Sequence, residues 1–301
     1  MANGKEIKRR IKSIKNTAKI TKAMELISTV KMKKAQDLAN SKKAFIMEVL
    51  KVFLRVEASL KNYPLFNEKT EGKTLGVLVT SNKGLCGGYN VNVLKALNNY
   101  KKTTGEEMDF VAVGKRAAQF VARTGNNLIA DFSEGFSDNI DTSFSRSISR
   151  FLTDQFLTNG YSKVVVVYNH YVNTIKQIAI SRKYVSISKE EIMTYLLDTL
   201  GEDETFLEEV KKDIGVVYDM EPSEEVIAMQ VIPMILDMMF FDMLLEAKAS
   251  EHSARMVAMK AAKDNANKFA SKLTLAYNKA RQAAITKEVS EIVSGVESLK
   301  D

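Results

Sequence analysis

The chain has 301 residues, of which 45% are hydrophobic and 27% charged, so it is long enough for about two domains of ordinary water-soluble composition. Its one cysteine, Cys86, excludes an internal disulfide or a CxxC metal site, and the two histidines are too far apart in sequence to suggest a metal site or a catalytic triad. The first residues, MANGKEIKRR, lack the apolar core of a signal sequence, and no uncharged apolar run of about 18 residues exists, so neither export nor a membrane span is expected.

The net charge of +7 is concentrated near the N-terminus. Residues 5–34 contain 11 Lys or Arg but only two acidic residues, Glu6 and Glu25, so the rest of the chain is close to neutral. A basic segment of this kind indicates contact with nucleic acid, anionic lipid or an acidic protein surface.

The N-terminal region contains neither glycine nor proline from Lys5 to Tyr63, and its apolar residues recur at helical spacing. This pattern predicts one very long helix. Because an isolated helix has little stability of its own, a helix of this length needs a partner along it.

A glycine-rich turn, SNKGLCGGYN at residues 81–90, follows the apolar run Leu75–Val79 and precedes a predicted helix. Phosphate-binding turns occupy this position, but the glycines follow neither the G-x-G-x-x-G nor the Walker A spacing. The spacing therefore favours a tight turn that packs a helix against a strand, and it disfavours nucleotide binding.

The central region alternates short apolar runs with helical patterns, which predicts a doubly wound, mainly parallel, Rossmann-like sheet. The run IKQIAIS, which begins at Ile175, predicts an added antiparallel edge strand. Residues 187–220 are interpreted as acidic and irregular, with their carboxylates forming a solvated face rather than a calcium site. The predicted strands are Leu75–Val79, Phe110–Val113, Leu128–Ala130 and Val164–Tyr168, and helices are expected near 90–102, 114–124 and 141–158.

The C-terminal region, Met234–Ser294, again lacks glycine and proline, which predicts a second long helix that pairs antiparallel with the first as a coiled coil. Pro222 is expected as the first residue of this helix, and Pro233 is expected to bend or break it. The chain is thus divided into an N-terminal helix (1–63), a central α/β domain (74–220) and a C-terminal helix (222–296).

Three stretches of the sequence carry a family resemblance. KRRIKSIKNTAKITKAMELISTVKM near the start, GLCGG in the turn, and ARMVAMKAAKDNA with YNKARQAAITKEVSEIVSG near the end resemble the gamma subunit of bacterial F-type ATP synthase. The resemblance implies a non-catalytic rotor that turns inside a hexamer of alpha and beta subunits, with the epsilon subunit and the c-subunit ring at its foot. It implies no cofactor, metal or nucleic acid, and a peripheral position at the cytoplasmic face of the bacterial plasma membrane.

The resemblance also implies partner contacts for individual residues. Lys83 and Cys86 would lie at an acidic loop of beta, Met24 would lie close to the same loop, and Tyr218 and Glu221 would meet the c ring. Contacts with the catch loops of beta are implied for Arg255, Arg281, Gln282 and Thr286. By pattern alone, a helical arginine is more often a solvated charge, and Met24 would be a core residue.

Two other functions are compatible with parts of the sequence. The basic segment could bind nucleic acid, but it has no aromatic residue for base stacking, and its isoleucines recur as an apolar seam. The α/β region could be a nucleotide-dependent enzyme, but it has no recognisable phosphate motif, base or nucleophile.

Overall fold

A computed structural model describes residues 2–56, 63–66, 69, 71–200 and 221–297 of the chain. The contacts within it define two compact units. We call Met1–Thr29 together with Arg255–Asp301 the helical unit, and Val30–Ala254 the α/β unit. The elements in chain order are α1 (Ala2–Asn40), α2 (Lys43–Val56), β1 (Thr74–Val79), α3 (Tyr89–Thr104), β2 (Met108–Val113), α4 (Lys115–Arg123), β3 (Leu128–Asp131), α5 (Thr142–Thr158), β4 (Lys163–Tyr171), β5 (Gln177–Val185), α6 (Lys189–Leu200) and α7 (Glu224–Glu297).

The N-terminal region forms two helices, so the prediction of one helix from Lys5 to Tyr63 is wrong. The chain turns at Ser41 and Lys42, where the Ser41 hydroxyl donates to the carbonyl of Leu38 at 2.9 Å and so competes with the helical backbone. Lys42 pairs with Asp242 of α7 and stands 4.3 Å from the centre of the Phe241 ring. The turn exists because α2 then packs its apolar face into the core, a tertiary contact that helical periodicity does not reveal.

The five strands form one sheet in the order β3-β2-β1-β4-β5. The first four are parallel, and β5 runs antiparallel to β4 at the edge. Every predicted strand and central helix is present, each within two residues of its predicted bounds, except that β4 and β5 extend further. The predicted fold class, an α/β sheet domain with long terminal helices, is confirmed.

Helices cover both faces of the sheet, as a doubly wound fold requires. On one face Leu78, Phe110 and Val165 pack against α3 and α4. On the other face the alternate strand residues, such as Val77 and Val166, pack against α2, α5, α6 and α7. The second core is the larger because α7 lays an apolar surface of Ile, Leu, Met and Phe across it between Ala228 and Ala247.

The C-terminal helix α7 continues through Pro233, so the break that proline predicts is not found. Proline leaves the carbonyl of Met229, four residues earlier, without its helical partner. Both residues are exposed, so water can satisfy that carbonyl, while Ile232 and Leu236 hold the same segment in the core. The helix begins two residues after Pro222, where the carbonyl of Ser223 accepts the first helical hydrogen bond, from Ile227 at 3.1 Å.

Residues 189–200 form helix α6, so the prediction of an irregular segment from 187 is wrong for this part. Ser188 and Glu191 form a capping box: the Ser188 N–H donates to Glu191 at 2.8 Å, and the Glu191 N–H donates to the Ser188 hydroxyl at 3.1 Å. Ile192, Tyr195 and Leu196 then reach the core. Residues 201–220 lie outside the described residues.

The helical unit joins the first part of α1 to the second part of α7. Its buried positions are mostly small or flexible side chains, namely Ala18, Thr21, Ser28, Met259 and Ala270. Lys263 of α7 donates to Glu25 of α1 at 2.7 Å. Small residues let the two helices approach closely, and the interhelical ion pair fixes their register.

Within the described residues, one helix is long and apolar enough to cross a membrane by length and composition alone, namely Glu224–Gly295. Of its most apolar window, 56% is buried inside the protein. The core segment of α7 accounts for this apolar content, because it packs against the sheet.

The contact between His170 of β4 and Glu246 of α7 predicts a pH dependence of stability. Nδ1 of His170 lies 2.7 Å from Glu246, and this hydrogen bond raises the pKa of His170 above its ordinary value. Because folding raises the pKa of His170, the protonated histidine stabilises the folded state. This contribution is complete below the pKa that histidine has in the unfolded chain, and it is lost as the pH rises through the pKa of His170 in the folded protein. We therefore expect Glu246→Gln to lower the melting temperature more at about pH 5.5 than at about pH 7.5.

Thermal unfolding at the two pH values measures this difference. The control compares His170→Gln with His170→Gln/Glu246→Gln, where the pH-dependent part of the Glu246 effect should vanish because position 170 no longer titrates. Equal losses at both pH values for Glu246→Gln alone would contradict the assignment.

Candidate partner-contact surfaces

The turn of residues 81–90 follows β1 and leads into α3. The Ser81 N–H donates to the Asn90 side chain at 3.0 Å, and the Asn90 amide donates to the Cys86 sulfur at 3.3 Å. Cys86 is therefore buried inside the turn, whereas Lys83 and Leu85 are exposed. The turn thus presents a charge and an apolar side chain to solvent, while its thiol supports the turn from within.

Leu85 has a backbone conformation that leucine rarely adopts. Its φ is 63°, in the left-handed region, and its side chain is 62% exposed. Such a conformation carries strain, and strained residues concentrate at functional contacts. The turn therefore holds a large apolar side chain in solvent in a strained backbone conformation.

Asn82 ties this turn to the loop that follows β3. Its amide group donates to the carbonyls of Ser133 at 2.8 Å and Phe136 at 2.9 Å, and its side-chain oxygen accepts the N–H of Lys115 at 2.8 Å. Both of its amide N–H groups and its side-chain oxygen are therefore engaged. The turn and the loop of residues 132–140 are therefore held as one rigid assembly at the carboxyl edge of the sheet.

Asp138, in the same loop, contacts the parts of α1 and α7 that belong to the α/β unit. Lys31 of α1 donates to it at 2.5 Å, and His252 of α7 approaches it at 3.3 Å. Burial alone would raise the pKa of Asp138, but the hydrogen bond from Lys31 and the charges of His252 and Lys248 hold it below its ordinary value. The ammonium of Lys248 also stands 3.9 Å from the centre of the Phe136 ring.

The surface of the helical unit is both basic and apolar. The N-terminal part of α1 exposes Lys5, Lys8, Arg9, Lys12, Lys15 and Lys19. Large apolar side chains are also exposed on this unit, namely Ile20, Leu26, Ile27, Val257, Phe269, Leu275, Ile285, Val289, Ile292 and Val293. So many exposed apolar side chains on two slender helices indicate a surface that is covered by other proteins.

The residues implied as partner contacts lie in different environments. Arg281, Gln282 and Thr286 are exposed on α7, and Glu221 is exposed just before it. Met24 is half-buried, Arg255 is buried, and Tyr218 lies outside the described residues. The exposed residues can reach a partner without a change in this chain.

Sequence reasoning missed Asn82 and Asp138. Asn82 lies in the glycine-rich turn, but its partners are 33 to 54 positions away, and those of Asp138 are more than 100 positions away, so no local pattern reveals either role. In the described part of the chain, no group of three or more His, Cys, Asp or Glu residues is placed to hold a metal ion.

Solved structures share this fold. The rotor of the Euglena gracilis mitochondrial ATP synthase in rotational state 1 superposes with a TM-score of 0.60 at 15% identity, covering 94% of this chain and 99% of that chain. A chain of the Euglena gracilis OSCP/F1/c-ring structure in rotational state 3 gives 0.64 at 16% identity, covering 99% and 95%.

Relatives found by sequence share a higher identity with this chain than these solved structures do. A family profile described as ATP synthase matches residues 3–299. The ATP synthase gamma chain of Halothermothrix orenii is 38% identical over 305 residues, and that of Desulforamulus reducens is 35% identical over 303 residues, each covering 100% of both chains. The chain therefore belongs to the ATP synthase gamma chain family.

Proposed function

We propose that the chain is the central-stalk rotor subunit of an F-type ATP synthase. Beside its family membership, the observation that carries this proposal is the basic and apolar surface of the helical unit. A pair of helices that exposes this much apolar area needs a sleeve of other subunits. The alpha and beta subunits would supply that sleeve, and the reaction would occur on beta, with no catalytic group, cofactor or metal on this chain.

The proposed mechanism is differential binding to conformations. Two unlike helices present different side chains in each direction, so three chemically equal beta subunits meet three different surfaces. A ligand that binds one conformation better shifts the equilibrium toward it, and turning the helices exchanges these biases among the beta subunits. Rotation would thereby change nucleotide affinity on beta.

The charge on α1 suits a rotating contact. Its exposed lysines and arginines attract an acidic collar at long range without one fixed pairing. Close bidentate ion pairs would have to break at every turn, whereas diffuse attraction changes little as the helix rotates. The exposed apolar end of α7 likewise offers contacts with little directional preference.

Individual contacts are part of the proposal. Lys83, Met24, Arg255, Arg281, Gln282 and Thr286 would contact beta, as would the turn that Cys86 supports, and Tyr218 and Glu221 would contact the c ring. The regions 1–63, 74–220 and 222–296 remain the proposed functional division of the chain. Membership of the family places the chain in a membrane-associated complex, and we propose that it lies peripherally at the cytoplasmic face of the bacterial plasma membrane, beside the epsilon subunit and the c ring.

Reconstitution tests this function. Purified alpha and beta subunits are mixed with and without the chain, and the mass of the complex and its rate of ATP hydrolysis are measured. We expect one copy per hexamer and a marked change in turnover. Absence of association, under conditions where alpha and beta assemble, would reject the rotor function.

Removing the exposed side chains of Arg281 and Gln282 is expected to impair coupling without affecting the fold. Exposed substitutions change stability little, so the melting temperature should shift by less than about 2 °C. ATP synthesis driven by an ion gradient should fall in the reconstituted complex with Arg281→Ala/Gln282→Ala. Synthesis at the wild-type rate would remove these two residues from the contact.

A further inference from the structure

The tip of the β4–β5 hairpin, residues 172–176, presents an apolar surface to solvent. Ile175 is 85% exposed, the highest value for a large apolar side chain in the described part of the chain, and Val172 and Ile178 are exposed beside it. Lys176 is exposed at the same tip. Single exposed apolar residues are common, so the backbone that carries them must show whether this tip is built for contact.

The tip is held rigidly. The Asn173 side-chain oxygen accepts the N–H groups of Ile175 at 2.9 Å and Lys176 at 2.8 Å, which forms a closed turn. Gln177 donates to the carbonyl of Thr174 and to the hydroxyl of Ser253 on α7, each at 3.2 Å, and Ser253 donates to the carbonyl of Thr174. A loop that is already ordered loses little conformational entropy on binding.

The tip also lies at the same edge of the sheet as the turn of Lys83. Strands β1 and β4 are parallel neighbours, so the segments that follow them emerge at the same carboxyl edge. The last part of β4, from which the tip extends, is tied to the end of that turn, because the Asn169 amide donates to the carbonyl of Tyr89 at 3.0 Å. A partner that approaches this edge therefore meets both.

We propose that the hairpin tip is a second contact with beta, beside the contact of the Lys83 turn; this inference rests on the proposed rotor function. The two segments have the same chemistry: Leu85 accompanies Lys83, and Ile175 accompanies Lys176. The surface that receives them is acidic with an apolar recess. Because the hairpin continues the edge that carries Lys83, its occupant is the same beta subunit.

Photocrosslinking in the assembled complex tests the contact. Benzoylphenylalanine replaces Ile175, Lys83 or Leu157 in three separate complexes with alpha and beta. Leu157 is also an exposed apolar residue, but it precedes β4 and so lies toward the opposite edge of the sheet. We expect crosslinks to beta from positions 175 and 83 and none from position 157.

The outcomes separate the two proposals. A crosslink to beta from position 83 but none from 175, or a crosslink from 175 only to another subunit, would overturn the hairpin contact and leave the rotor function standing. Failure of the wild-type chain to assemble with alpha and beta would overturn the rotor function, and the hairpin contact with it.

A pair of charge variants tests the chemistry of the partner. Both Ile175→Asp and Ile175→Lys remove the apolar side chain from an exposed position, so both should fold as the wild type does. An acidic partner surface repels only the aspartate. We therefore expect the Asp variant to bind the hexamer at least about tenfold more weakly than the Lys variant. This difference in affinity should become smaller in high salt, because salt screens the charges. Equal affinities would overturn the acidic assignment.

Discussion

Replacing Ile285, Val289 and Ile292 together with glutamine is expected to reduce the affinity of the chain for the alpha/beta hexamer by about a thousandfold. The three residues are exposed and follow one stripe of α7 at spacings of four and three. If each becomes buried on assembly, it contributes about 1.5 kcal/mol or more, which is about tenfold in affinity per residue. Glutamine removes this contribution and keeps a high helix propensity.

Titration of labelled chain against the hexamer measures the affinity, and circular dichroism checks that the helix persists. The matched control, Lys287→Gln/Glu291→Gln, changes the same turns of α7, leaves the net charge as it is and removes only an exposed ion pair of 3.6 Å. Because such pairs contribute little, its affinity should stay within about twofold of wild type. A triple variant that binds as tightly as this control would show that the apolar stripe is not buried in the complex.

Phe240→Ala is expected to lower the free energy of unfolding by about 3–5 kcal/mol. Phe240 of α7 is fully buried, and its ring lies 5.4 Å from the ring of Tyr184 in β5. The Tyr184 hydroxyl in turn donates to the carbonyl of Leu236 at 3.1 Å, so one cluster attaches α7 to the sheet. Removing the ring leaves a cavity that this well-packed cluster cannot fill.

Denaturant-induced unfolding measures the loss. Phe45→Ala is the control, since Phe45 belongs to the same unit but is 52% exposed, and its removal should change stability by less than about 1 kcal/mol. Similar losses for the two variants would contradict the packing of α7 across the sheet.

The sheet and its order of elements could be predicted because burial on both faces makes parallel strands continuous apolar runs. Val164–Tyr168 and Phe110–Val113 have this pattern, and the structure confirms both. The long terminal helices were predictable for a similar reason, since no glycine or proline interrupts the periodicity over dozens of residues. Each of these signals is local in the sequence.

The features that sequence reasoning missed depend on contacts between distant residues. The turn at Ser41 arises because α2 packs on the sheet, and α7 tolerates Pro233 because that position faces solvent. Neither condition can be predicted from the neighbouring residues in the sequence. The start of α6 is different: Ser188 and Glu191 have the spacing of a capping box, and this local signal could have identified the helix.

Some candidate contact residues have the exposure that the sequence interpretation requires, whereas Cys86 does not. Arg281, Gln282 and Thr286 are exposed, as a partner contact requires, and so is Lys83. Cys86 points into its own turn, because the direction of a side chain in a glycine-rich turn depends on dihedral angles that the sequence does not fix. Partner contacts leave no periodicity in the chain that makes them, so only family resemblance could suggest these positions.

Direct observation of rotation tests whether the chain is a rotor. The hexamer is fixed to a surface, and a bead is attached to the chain at Lys102→Cys, an exposed position on α3, with Cys86→Ser as a background that removes the only other thiol. With ATP, we expect the bead to turn in one direction with three equivalent stopping positions per revolution. A bead that stays fixed or moves without direction while the same complexes hydrolyse ATP would contradict the rotor function.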